Sequence, residues 1–136
     1  MRVEAAAARE LFAAARVARL ASVGPDGRPH LVPIVFAVAG DVIVTAVDDV
    51  KPKRTRSLAR LRNIAAEPRV SVIADHYDED WTQLWWVRAD GLATVIEGDA
   101  SAMGLLADRY TQYWEHPPPG PVIRIQVERW TGWAAE

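Results

Sequence analysis

The sequence predicts a mainly β (α+β) protein: a small barrel of about six antiparallel strands with two to three short helices. Three observations predict it. Runs of β-branched and apolar residues recur at 17–23, 29–38, 42–47, 70–74, 84–96 and 122–130, with the length and composition of strands. The first three follow one another through short turns, which makes neighbours antiparallel. The helix-forming stretches sit between and before these runs, so the strands are left to close on themselves and remove exposed edges.

In chain order, residues 2–15 are alanine-rich with Leu11 and Phe12, and predict a short helix. The pattern changes to that of a strand at 17–23. Gly24-Pro25-Asp26-Gly27 punctuates a tight turn. The second strand, 29–38, contains Pro33, which cannot donate to a ladder and so marks an edge or a bulge. Ala39-Gly40-Asp41 turns the chain into the third strand, 42–47. A basic loop, Lys51-Pro52-Lys53-Arg54, then leads into a helix whose Leu58, Leu61 and Ile64 recur at spacings of three. Arg56, Arg60, Arg62 and Asn63 lie off that stripe. The helix stops before Pro68, because the residue preceding a proline disfavours the α region. A strand, a basic loop and a helix N-terminus aim N–H groups, the helix dipole and cations at one place. A phosphate-bearing cofactor fits there; a solvated basic helix face is the plainer alternative.

The fourth strand is 70–74, followed by the acidic and aromatic loop His76-Tyr77-Asp78-Glu79-Asp80-Trp81, the type of strand-end loop where sites often lie. Within the long strand 84–96, Gly91 predicts a bulge or sharp bend. Residues 99–113 read as a helix with Asp99 as its N-cap. The proline-rich 116–121 is a stiff connector. The last strand, 122–130, turns Ile123, Ile125 and Val127 to one buried face.

With 136 residues, half of them hydrophobic and a quarter charged, the expectation is one soluble cofactor-binding domain over 1–136. No apolar run approaches the length of a membrane span, and charges interrupt the N-terminal alanines where a signal peptide would be apolar. A cytoplasmic location without membrane contact is expected. The absence of cysteine excludes disulfides, thiol catalysis and Cys-type metal sites. A net charge of −2 argues against nucleic acid as a partner.

His30, His76 and His116 are scattered without metal-ligand spacing, and no metal is expected. Asp75, Asp78, Glu79 and Asp80 read as a solvated acidic loop, since an EF-hand glycine is missing. Nucleophile-elbow, G-x-G-x-x-G and Walker A sequences are absent, which excludes serine hydrolases, Rossmann sites and P-loops. Trp85-Trp86 is sharper. Adjacent strand residues point to opposite faces, so one ring enters the core and the other faces a ligand or a partner chain; the plainer alternative is that both rings only pack.

Four stretches carry a resemblance that spans almost the whole chain: ARLASVGPDGRPHLVPIVF (18–36), KPK (51–53), LARLRNIAAEPRVSV (58–72) and DHYDEDWTQLWWVRADGLATV (75–95). The chain resembles the split β-barrel flavin/deazaflavin oxidoreductases, the pyridoxamine-5′-phosphate oxidase-like superfamily. Within it, the fourth stretch looks like the actinobacterial subgroup that uses the deazaflavin coenzyme F420. The resemblance implies an FMN-binding-like split barrel and a homodimer that holds the cofactor in a groove between protomers. It implies that the ring lies against backbone at Pro33, Ile34, Val35, Thr45 and Ala46. It places the phosphate end at Arg60, with Asn63 completing an Arg/Lys-x-x-Asn frame, and at Lys51 and Lys53. The loop before the helix is longer than in some relatives, so either Lys53 or Arg60 is the principal phosphate contact. The implied activity is hydride transfer between F420 and a small organic substrate, as the cofactor carries the hard step. His76, Tyr77, Trp85 and Trp86 are the candidates for the substrate pocket, and no catalytic acid is assigned. An FMN-dependent oxidase or reductase of the same fold and a non-catalytic F420 carrier are the alternatives.

Overall fold

The computed structural model describes residues 1–47, 54–118 and 120–135. Among them the elements run β1 (Arg2–Val3), α1 (Ala5–Ala14), β2 (Ala18–Val23), β3 (Pro29–Ile34), β4 (Ala37–Ala39), β5 (Val42–Ala46), α2 (Arg54–Ala66), β6 (Arg69–His76), β7 (Trp85–Ile96), α3 (Ala100–Arg109), α4 (Gln112–Glu115) and β8 (Val122–Ala134). The strands form a single antiparallel sheet in the order β3-β2-β6-β7-β8-β5-β4, with β1 added to β8. β3 and β4 therefore stand at opposite ends of the sheet, yet only Val35 and Phe36 separate them in the chain. Two residues cannot span an open sheet. The sheet must curl until its ends meet, and because β3 and β4 do not pair, the closed wall keeps a seam.

The predicted mainly β architecture holds, with eight strands where about six were expected and four helices where two to three were. Arg2 and Val3 are not helical; they pair with Trp133 and Gly132 of β8. The expected strand over 29–38 breaks at Val35–Phe36, where the chain crosses the seam. The expected helix over 99–113 stops at Arg109 because Tyr110 turns out into extended backbone, and α4 follows. Asp99 caps α3 as predicted, its carboxylate accepting the Ala102 N–H at 3.0 Å. Pro33 lies on β3, an edge strand, where a missing N–H is tolerated.

Two apolar layers hold the sheet. Inside the barrel, Leu20, Val72, Val87, Ile123 and Ile125 are fully buried, and Ile64 of α2 closes one end. Phe12 of α1 packs against Phe36 and Trp130, with ring centroids 4.8 and 5.3 Å away. On the other side of β5, Val44 and Ala46 pack under Ala102 and Leu106 of α3. β5 is thus covered on both faces, which is why it reads as an unbroken apolar run. Asp41, at the β4–β5 turn, accepts from Trp130 Nε1 at 3.0 Å and from Arg9 at 2.9 Å. These hydrogen bonds, the Trp130 one foremost, hold its carboxyl below the usual range.

Opposite Gly91 the register slips. Asp90 pairs with Arg129 but Gly91 pairs with Val127, so Glu128 is an extra residue on β8. This is the bulge predicted at Gly91. Among the described residues, no helix is long and apolar enough to cross a membrane.

Candidate functional site

The seam opens into a cavity of about 280 Å³, lined by Val17, Pro33, Ile34, Val35, Thr45, Ala46, Val47, Arg60 and Tyr113. The start of β2, the end of β3, the end of β5, α2 and α4 meet there. Thr45 is 1% exposed, and its Oγ1 donates to the Val35 carbonyl at 2.7 Å. That bond ties the two strand ends across a gap with no ladder of its own. Pro33, Ile34, Val35, Thr45, Ala46 and Arg60, drawn from three separate stretches of sequence, are therefore brought to one place.

Arg60 is the cation of this cavity. Leu61 and Ile64 bury against the barrel core, and this anchoring of α2 carries Arg60 half into the seam. Among the described residues its Nε is buried without a partner and no carboxylate pairs with it. Burial pushes the guanidinium below its ordinary value, yet an arginine stays protonated in proteins. A charged, partly desolvated group without a partner is costly unless an anion completes it. This donor set fits a phosphate-bearing or otherwise anionic group.

Asn63 does not line the cavity. It is buried, and its Nδ2 donates to Ser22 Oγ at 3.4 Å, tying α2 to β2. Its place is a structural one behind Arg60, not a contact with the cavity. Lys51 and Lys53 lie outside the described residues.

Val17, Val47, Tyr113, Arg109 and Tyr110 join the site without any local motif in the sequence that marks them. Tyr113 and Val17 complete the cavity wall. Tyr110 and Arg109 hold the seam crossing from behind. The Tyr110 hydroxyl accepts the Phe36 N–H at 3.1 Å and lies 2.9 Å from the Phe36 carbonyl, to which it donates. Arg109 donates to the same carbonyl at 2.8 Å and to the Ala15 carbonyl, with its guanidinium over the Phe36 ring. A crossing residue has no strand partner, so these side chains supply the bonds that a ladder would. Tyr110→Phe is expected to cost about 1–3 kcal/mol, because it leaves a part-buried N–H unsatisfied. Urea unfolding measures it; a change below a few tenths would show that Phe36 finds another partner.

The four substrate-pocket candidates do not line the cavity. His76 and Tyr77 are exposed, and His76 Nε2 lies 3.7 Å from Asp78. Asp78 and Asp80 accept backbone N–H groups at 3.0 Å and so build the β6–β7 turn. Trp85 packs on the barrel core, while Trp86 points outward in the row that holds Asp75 and Trp133. The alternation predicted for the pair is observed: one ring goes in and the other goes out.

Solved proteins share this fold. An FAD-binding protein from Mesorhizobium loti is 24% identical, covering 97% of this chain and 93% of its own, with a TM-score of 0.71. An FAD-binding protein from Mycobacterium smegmatis is 19% identical, covering 98% and 96%, with a TM-score of 0.65. A heme-binding protein from Mycobacterium smegmatis is 24% identical with a TM-score of 0.77; the match covers 99% of this chain but 56% of that one. No curated relative matches the chain in sequence. The model of the pyridoxamine 5'-phosphate oxidase family matches residues 5–134, nearly the whole chain, and the protein described here belongs to that family.

Proposed function

We propose that this protein binds the deazaflavin coenzyme F420 at the seam and acts as an F420-dependent oxidoreductase on a small organic substrate. The observation that carries the reading is the cavity. Residues from two strand ends, Pro33 to Val35 and Thr45 to Ala46, face one half-buried arginine whose Nε has no partner among the described residues. Two solved proteins of similar fold are named as FAD-binding, which supports a flavin-like ring as the ligand class. The F420 assignment rests on the resemblance of the stretch 75–95 and on the net charge of −2. When bound, the deazaflavin supplies the hydride-transfer chemistry. The protein's part is to hold the ring against the strand-end backbone, to bind the anionic end with Arg60, Lys51 and Lys53, and to keep the seam closed through Tyr110 and Arg109.

A cavity of about 280 Å³ is at the lower limit of the usual range for ligand pockets, about 300 Å³. A whole cofactor extends past it. Val17 and Val35, on its wall, are 39% and 37% exposed, and Leu31 beside them on β3 is 66% exposed. An apolar rim around a polar cavity suits a partner chain. The site is therefore assigned to a homodimer, with His76, Tyr77 and the outward Trp86 on the substrate side.

Calorimetric titration with F420, FMN and FAD tests the cofactor. The expected result is saturable F420 binding, tighter than FMN, to a protein that is dimeric by light scattering. Tight FMN binding with no response to F420 would move the protein to the FMN-dependent reading. Oxidation of bound, reduced F420 by a panel of flat electrophiles then separates an enzyme from a carrier.

A further inference from the structure

A larger hollow, of about 590 Å³, lies on another side of α2, away from the seam cavity. Val23, Pro25, Pro29, Ala59 and Ala66 give it small, flat apolar walls, drawn from the β2–β3 hairpin and from α2. Its polar groups are uneven in what they have left to give. Glu67 is fully engaged: Arg69 donates to its two oxygens at 2.7 and 3.0 Å, and those bonds lower its carboxyl to about 2. Asp26 accepts the Arg28 N–H at 3.1 Å and faces the Arg28 guanidinium at 3.9 Å. Arg62 is exposed at the rim and has no carboxylate within 4 Å among the described residues. His30 is half-buried, with Nδ1 enclosed and without a partner among the described residues. Asn63 also lines the hollow, but its Nδ2 is given to Ser22 Oγ at 3.4 Å. What remains is the uncommitted Arg62 guanidinium, with the His30 imidazole beside the apolar walls.

We infer that this hollow is a second ligand site, for a small carboxylic acid with a flat apolar body, held by Arg62 and His30. One uncommitted cation matches a monoanion, and a guanidinium takes a carboxylate in bidentate fashion. Prolines and alanines leave room for a planar body, and the other polar side chains of the lining, Asp26 with Arg28, Asn63 and Glu67, already have partners. The inference does not rest on the cofactor reading, since neither Arg60 nor the strand ends at the seam line this hollow.

Benzoate is the probe, followed through the imidazole ¹⁵N resonances of the full chain. His30, His76 and His116 are three separate reporters, assigned with His30→Asn. Benzoate is expected to shift the His30 signals saturably and to leave the other two in place. Arg62→Gln should weaken this binding about tenfold, the loss of one charge-assisted contact. Arg129→Gln, which removes an exposed cation elsewhere, should not change it. Benzyl alcohol, with the body but no charge, and inorganic phosphate, with charge but no body, should each bind more weakly than benzoate. The inference is overturned if His30 does not respond, if Arg62→Gln binds benzoate as the parent does, or if phosphate or benzyl alcohol binds as well as benzoate.

Discussion

Gly91→Ala is expected to destabilise the protein by about 3 kcal/mol or more, the upper end for a single small substitution. A Cβ on Gly91 would lie 2.2 Å from the Gln126 carbonyl oxygen and 3.0 Å from the carbonyl carbon and the Val127 Cα. All three are backbone atoms, and no rotamer change moves them. The crowding follows from the bulge: with Glu128 unpaired, β8 bends toward β7 and presents a carbonyl where an inward side chain would start. Relief requires moving the β7–β8 pairing, the spine of the sheet. Gly132 supplies the comparison. A Cβ there meets the Ala8 Cβ at 3.2 Å and the Val87 Cγ2 at 3.3 Å, a milder approach that a shift of α1 and of the Val87 side chain by a few tenths of an ångström relieves without moving the β7–β8 pairing. Gly132→Ala should therefore cost about 1 kcal/mol. Denaturant midpoints of the two variants check the order. Equal losses would mean that the bulge relaxes as readily as a side-chain contact.

Local features of this fold were legible in the chain because their causes are local. Gly91 in a strand pattern, Asp99 before a helical run and the alternation of Ile123, Ile125 and Val127 each act over a few residues. The seam was not legible. Val35 and Phe36 are good strand formers, and nothing beside them says that the strand stops. It stops because closure places β3 and β4 at opposite ends of the sheet, which is a property of the pairing order. Tyr110 was hidden for the same reason. It carries helical spacing in sequence, but its hydroxyl serves a backbone 74 residues away. Of the residues expected at the cofactor, Arg60 reaches the cavity while Asn63 turns to Ser22, because two positions three apart on a helix need not share a neighbour when strands meet it from different sides.

Arg60→Met should move affinity and stability in opposite directions. In the parent, a cation is half-buried with an unpartnered Nε and no carboxylate beside it among the described residues. That desolvation is a cost to the folded state, and an apolar side chain of similar length removes it. Stability should hold or rise by on the order of 1 kcal/mol. Binding should suffer. A charge-assisted contact to phosphate is worth about 1.5–3 kcal/mol, so F420 affinity should fall about tenfold or more. The remaining affinity should depend less on ionic strength, as one screened attraction is gone. Such a trade is the signature of a residue kept for ligand and not for fold. Thermal unfolding without cofactor and calorimetric titration at two salt concentrations read both arms. Unchanged affinity in Arg60→Met would remove Arg60 from the cofactor site and leave Lys53 as the principal phosphate contact. A loss of stability with affinity retained would make Arg60 a packing residue of α2, its long stem filling the seam that no ligand enters.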